Sequence, residues 1–150
     1  MLAGQASPTP ASILFEEVAQ RSGINFVLNN SATPNKNQPE SVVGGVALFD
    51  FDGDGYLDIF FVNGAALPSL QKEGPLYKNR LYHNNHDGTF TDVTDKARVG
   101  GDGYDIGVAV GDYDNDGRLD LYVASVTRNH LYHNNGDGTF ADVTDKAGVS

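Results

Sequence analysis

The nine residues Asp50-Phe51-Asp52-Gly53-Asp54-Gly55-Tyr56-Leu57-Asp58 return as Asp112-Tyr113-Asp114-Asn115-Asp116-Gly117-Arg118-Leu119-Asp120. One loop pattern, D-x-D-x-D-G-x-x-D, therefore occurs twice. Four carboxylates crowded on nine residues demand a hard cation to hold them together. Ca²⁺ takes about six to eight oxygens at flexible geometry, and alternate Asp residues around a Gly-permitted turn supply them. The expected cofactor is Ca²⁺ at two sites, with Asp50, Asp52, Asp54 and Asp58 at one and Asp112, Asp114, Asp116 and Asp120 at the other.

Other chemistries for the same residues are less consistent with the pattern. An EF-hand or a dockerin-like loop needs an acid at its twelfth position, where Phe61 and Val123 stand, and an EF-hand needs helical flanks. A haloacid-dehalogenase-like phosphatase is the sharper alternative. Leu48-Phe49-Asp50-Phe51-Asp52-Gly53 resembles its nucleophile strand, with Asp50 attacking phosphate, Asp52 as general acid/base, and Asp112 and Asp116 holding Mg²⁺. Asp54 stands where that family has Thr or Val, and hairpin signals occupy the place of crossover helices. The two supposed motifs are also copies of one another, which different catalytic roles do not predict. His83, His86, His130 and His133 suggest a transition-metal site, but polar positions on outward strand faces or hairpin shoulders are the simpler reading. The recurrent Tyr and Phe residues read as packing rather than as a sugar-stacking platform. Asn29-Asn30-Ser31 has the form of a glycosylation acceptor. No HExxH, GxSxG, Walker loop or cysteine nucleophile occurs, so catalysis is not expected.

The loops sit in longer repeats, which define the elements that carry them. Residues 45–62 align with 107–124 at an offset of 62, and residues 79–97 align with 129–147 at an offset of 50. The difference is a twelve-residue insertion around residues 64–78. Each unit reads as four short strands. The first, 46–49 or 108–110, is small and apolar, as a buried inner strand should be. The acidic loop reverses the chain into an aromatic and β-branched second strand, 57–62 or 119–124. The third and fourth, 81–84 with 89–93 and 131–134 with 139–143, form a hairpin around Asp87-Gly88 and Asp137-Gly138. Residues 94–97 and 144–147 look like single helical turns, and residues 13–21 like a short helix. Phe15-Glu16-Glu17-Val18 and Gly23-Ile24 read as a degenerate partial copy, followed by a polar loop over 29–41.

Four-stranded units at this period indicate β-propeller blades. N-x-L-Y-x-N-N-x-D-G-T-F-x-D-V-T-x-x-A, quoted from residues 79–97 and 129–147, resembles the FG-GAP or VCBS repeats of integrin-α-type propellers. More narrowly it resembles the cartilage-acidic-protein-like group that carries the ASPIC/UnbV label. The resemblance implies an all-β propeller whose acidic loops bind Ca²⁺ at one face, with the main-chain carbonyls of Tyr56 and Arg118 completing the two ligand sets. Phe49 where the second copy has Gly111 is a departure that leaves the ligands intact.

The expected organisation is a flexible lead over 1–12, a partial unit and polar loop over 13–43, and blades over 44–100 and 101–150. Met1-Leu2-Ala3-Gly4-Gln5-Ala6 reads equally as the end of a truncated signal peptide. Because a ring needs at least about four blades, the chain is expected to be an N-terminal piece whose partners include the remaining blades. A net charge of −10 argues against nucleic acid and anionic membrane surfaces. Two Ca²⁺ would bring it to −6. No apolar run approaches the roughly 20 residues that span a bilayer. The resulting expectation is an extracellular, cell-surface or periplasmic adhesion module for a protein or carbohydrate ligand, the alternative being the propeller part of a polysaccharide- or lipid-acting enzyme.

Overall fold

Short apolar stretches separated by Asp- and Gly-rich turns favour meandering antiparallel strands, and the computed structural model has this arrangement. It describes residues 13–42 and 44–150; the lead expected over 1–12 and Val43 lie outside the described residues. The first sheet has the order β1 (Val46–Phe49), β2 (Asp58–Phe61), β3 (Arg80–Asn84), β4 (Phe90–Asp92). The second has the order β5 (Asp105–Gly111), β6 (Asp120–Ser125), β7 (His130–Asn134), β8 (Phe140–Asp142). Single helical turns, α1 (Thr94–Ala97) and α2 (Thr144–Ala147), follow the sheets. The all-β expectation holds, as two four-stranded antiparallel sheets consistent with partial propeller blades. No helix among the described residues is long and apolar enough to cross a membrane.

Register decides which side chains share a face, because successive residues of a strand alternate. Ala47 pairs with Phe60 and Phe60 with Leu81, so these three line one face of the first sheet. In the second sheet Val110 pairs with Leu121 and Leu121 with Tyr132. The core lies between these two faces and includes Phe49, Phe60, Leu81, Leu121, Val123 and Phe140. The two sheets thus contribute opposite faces of the repeat. The counterparts of Ala47, Phe60 and Leu81 are Ala109, Tyr122 and Leu131, which register places on the far side of the second sheet. The packing is head-to-tail. The inner strands β1 and β5 meet where a Cβ on Gly45 would lie 3.0 Å from the Cα of Gly107, so a larger residue there would require the facing backbone to give.

Two expectations need correction. The first strand of the leading unit is not buried on both sides: Val46 and Leu48 are 57% and 61% exposed, because no sheet among the described residues covers their face. Their counterparts Val108 and Val110 lie under the first sheet. Residues 13–21 do not form a helix; one turn around residues 19–23 is closed by Ser22 N–H donating to Val18 O at 2.9 Å and ends at Gly23 with φ +80°. With Phe15 96% exposed, no packed apolar face sustains a longer helix. The lead-in segment follows this turn without a strand of its own among the described residues. It lies along the first sheet, with Phe26 stacked on Phe61 at 4.5 Å and Phe90 N–H donating to Ser22 O at 2.7 Å.

The insertion is anchored by one buried cation. Lys72 Nζ donates to the carbonyls of Asn63, Gly64 and Tyr77 at 2.8, 3.0 and 2.9 Å, and lies 3.3 Å from Asp105 Oδ2. Asn79 Nδ2 donates to the same carboxylate at 2.7 Å. Burial pushes the Lys72 ammonium below its ordinary pKa and the Asp105 carboxyl above its own, each opposed by attraction to the other. This pair ties the insertion to the start of the second sheet. Lys72→Met leaves the Asp105 carboxylate buried without its cation, and a loss of about 3–5 kcal/mol is expected in urea unfolding.

Candidate metal centre

Each acidic loop joins the first two strands of its sheet and is shaped by its own carboxylates. Asp50 Oδ1 accepts the N–H groups of Gly53 and Asp54 at 2.8 and 3.1 Å, and its Oδ2 accepts Gly55 N–H at 2.8 Å. Asp112 repeats this with Asp116 N–H at 3.0 Å and Gly117 N–H at 2.9 Å. The turn needs Gly55 and Gly117 at φ +89° and +88°, a region where a side chain is strained. Asp54 and Asp116 accept the N–H of Tyr56 and Arg118 at 2.8 and 2.9 Å.

The ninth residue of each loop has a different role. Asp58 Oδ2 accepts Phe51 N–H at 3.0 Å, and Oδ1 accepts Asn84 N–H at 2.8 Å. Asp120 does the same with Tyr113 at 3.1 Å and Asn134 at 2.7 Å. Both carboxylates are buried at the start of the second strand and clasp the loop to the third strand. Burial raises the Asp58 pKa above its ordinary value, against the hydrogen bonds from Asn84 and Phe51 that favour the charge. Asp54 is held below its ordinary value by the Tyr56 amide and by His86.

The structure gathers the acids of each loop into two overlapping groups rather than one set of four. Asp50, Asp52 and Asp54 each offer a carboxylate oxygen within 4.8 Å of one another, and Asp112, Asp114 and Asp116 do likewise. Asp58 and Asp120 join Asp52 and Asp114 in a second grouping on the strand side. The Asp50–Asp52–Asp54 and Asp112–Asp114–Asp116 groups offer only oxygens, which fits a hard dication such as Ca²⁺, while the strand-side groups add a nitrogen of His83 or His133. Tyr56 and Arg118 also have side-chain roles the pattern did not suggest. The Tyr56 ring stacks on His86 at 3.8 Å, whereas Arg118 reaches Asp116 Oδ2 and donates to Asn134 O at 2.8 Å. The two loops border one cavity of about 310 Å³, lined by residues that include Asp50, Asp52 and Arg118. Asp50, the nucleophile in the phosphatase alternative, follows an antiparallel strand and has both oxygens engaged by backbone amides.

Three of the four histidines depart from the outward-facing reading, whereas His86 stays exposed at its hairpin shoulder. His130 is 2% exposed between Asp102 and Asp142, each 2.9 Å from a ring nitrogen. His83 and His133 turn toward the acidic loops, because their strand positions place them next to Asn84 and Asn134, which the buried Asp58 and Asp120 clasp. His83 Nδ1 and His133 Nδ1 are buried and have no hydrogen-bond partner among the described residues. Such an orphan costs about 1–3 kcal/mol. The repeat did not single these residues out, because it keeps Leu81, Tyr82, Asn84 and Asn85 along with His83. Phe51 was also missed. It packs between the sheets, 6.3 Å from the Phe140 ring, and its carbonyl accepts Asn134 Nδ2 at 2.7 Å.

The family model of the FG-GAP-like repeat matches residues 50–123 and again 112–149, together two-thirds of the chain. Each match begins at an acidic loop. No characterised protein gives a significant match.

The hydrogen bonds separate two kinds of carboxylate. Asp58→Ala or Asp120→Ala strips two backbone amides of their acceptor and is expected to destabilise the protein by about 1–3 kcal/mol even in excess chelator. Asp52→Ala and Asp114→Ala, whose carboxylates carry no hydrogen bond among the described residues, are expected to leave the melt in chelator unchanged or raised, since like charge is removed. Thermal melting of the four variants in chelator checks this.

Proposed function

The chain belongs to the FG-GAP-like repeat family, and from that membership and the loop geometry we propose that it is a calcium-stabilised β-propeller segment of an exported protein. The end that carries the loops presents a binding surface for a protein or carbohydrate ligand. The observation that carries the reading is the pair of equivalent loops at the same end of adjacent sheets, each with three carboxylates within 4.8 Å of one another. We extend the proposal to the narrower cartilage-acidic-protein-like, ASPIC/UnbV group, on the N-x-L-Y-x-N-N-x-D-G-T-F pattern that both copies carry.

The residues divide the work. Asp50 and Asp112 organise the turn through its amides, Asp58 and Asp120 fasten it to the third strand, and Asp52 and Asp114 keep their oxygens free of backbone donors. Bound Ca²⁺ would supply the positive charge that lets these carboxylates share one turn. Binding to the folded form alone stabilises by about 2.7 kcal/mol per site at a hundredfold excess over Kd. Extracellular modules hold Ca²⁺ with Kd of about 10⁻⁴ to 10⁻³ M, which suits sites filled outside the cytoplasm. The head-to-tail packing supports the propeller reading. The open face with Val46 and Leu48 and the opposite face with Tyr122 and Leu131 are repeat equivalents of the two faces already packed together, so further blades can continue on both sides.

Calorimetric titration with Ca²⁺ is expected to show two binding events in the wild type. Asp116→Ala is expected to abolish one of them and to lower the thermal midpoint in millimolar Ca²⁺. An unchanged titration removes the second site.

A further inference from the structure

The strand-side wall of each acidic loop holds an imidazole where an all-oxygen calcium cage has no use for one. We infer that each loop also provides a seat for a borderline transition-metal dication, with zinc as the type case. The seats are Asp52, Asp58 and His83 in the first sheet and Asp114, Asp120 and His133 in the second. In both, one ligand atom from each residue lies within 4.8 Å of the others.

The distances repeat across the two copies. His83 Nδ1 lies 3.3 Å from Asp52 Oδ2 and 3.3 Å from Asp58 Oδ1. His133 Nδ1 lies 3.4 Å from Asp114 Oδ2 and 3.3 Å from Asp120 Oδ1. None of these contacts has the geometry of a hydrogen bond, and neither nitrogen finds another partner among the described residues. Ligands placed 2.0 to 2.1 Å from a tetrahedral centre are roughly 3.3 to 3.4 Å from one another. The nitrogen therefore stands from each carboxylate at the spacing of two ligands on a shared ion, with the two carboxylates within 4.8 Å of each other. The rings are held in place as well. Phe51 presents its edge to His83 at 6.0 Å and 87°, and Tyr113 does the same to His133 at 5.9 Å and 88°.

Imidazole nitrogen suits zinc, copper and nickel, whereas Ca²⁺ selects oxygen. Two carboxylates and one histidine leave a fourth position for water, as in open zinc sites. Asp52, Asp58, Asp114 and Asp120 are shared with the proposed calcium cages, so the two ions compete for each loop. The zinc seat itself does not depend on calcium. The first loop has an extra imidazole in reach, since Asp54, His83 and His86 form another such group, whereas Gly136 replaces His86 in the second copy. The first seat should therefore bind zinc more tightly.

The test is zinc chloride calorimetry on the full chain after chelator treatment and dialysis, with calcium chloride titrated in parallel. The wild type is expected to bind two zinc ions, and the double variant H83Q/H133Q to lose both zinc events while keeping its calcium titration. D50N/D112N, outside the zinc seats, should weaken calcium and keep zinc. Each single variant, H83Q or H133Q, should remove one of the two events, so the test stands even where the double variant does not fold. Zinc heats unchanged by the histidine variants, or no saturable zinc binding in the wild type, overturn the inference. Loss of calcium binding alone would instead count against the proposed function and leave the zinc seats standing.

Discussion

The fold depends on placing like charges close together in a turn that must also be a fixed joint. Four carboxylates share nine residues in each acidic loop, and repulsion alone would open the turn between the first two strands. The chain counters this with its own backbone. Asp50 and Asp112 draw in the amides of the turn, and the buried Asp58 and Asp120 each receive one amide from the loop and one from the third strand. Three strands of each sheet are thereby fastened at one end by a carboxylate that cannot leave without stranding two donors. Of the remaining acids, Asp54 and Asp116 each accept an amide within the turn, which leaves Asp52 and Asp114 without a hydrogen bond among the described residues.

The same parts hold the two sheets together. Asn134 gives its amide N–H to Asp120 in its own sheet, and its side chain donates to Leu119 O at 3.1 Å and to Phe51 O at 2.7 Å in the neighbouring loop. The clasp of one unit therefore reaches the loop of the other. Phe51 fills the space between the sheets at 6% exposure, whereas its counterpart Tyr113 is 48% exposed at the open face. Identical loop chemistry thus coexists with different aromatic surroundings, because one loop lies inside a sheet-on-sheet contact and the other beside an open face. The Lys72–Asp105 pair adds a polar tie at the other end of the insertion, where the carbonyls around Nζ replace lost hydration.

Much of this was legible in the residues. The repeat offsets of 62 and 50 located the strands, since alternating short apolar stretches bounded by Asp and Gly leave few registers in which both copies bury their aromatics. The strand predicted over 46–49 coincides with β1. The turn at Gly55 and Gly117 was equally readable, because D-x-D-G requires a left-handed residue there. The short helix over 13–21 does not form because its apolar residues Ile13, Leu14 and Phe15 find no surface to pack against, at 83%, 87% and 96% exposed. His83 and His133 looked like ordinary polar strand positions, since nothing local indicates that the loop from the preceding hairpin folds back over them.

Local chemistry was determined by sequence alone: the acidic turn, the antiparallel strands and their repetition follow from residue type and spacing over a dozen positions. Tertiary structure decided the rest. It alone set which face of each sheet is covered, because strand alternation supplies two candidate faces and only packing against a neighbour selects one. It alone brought His83 to Asp52 and Asp58, residues 31 and 25 positions away in the chain, because that meeting depends on the register of β2 against β3.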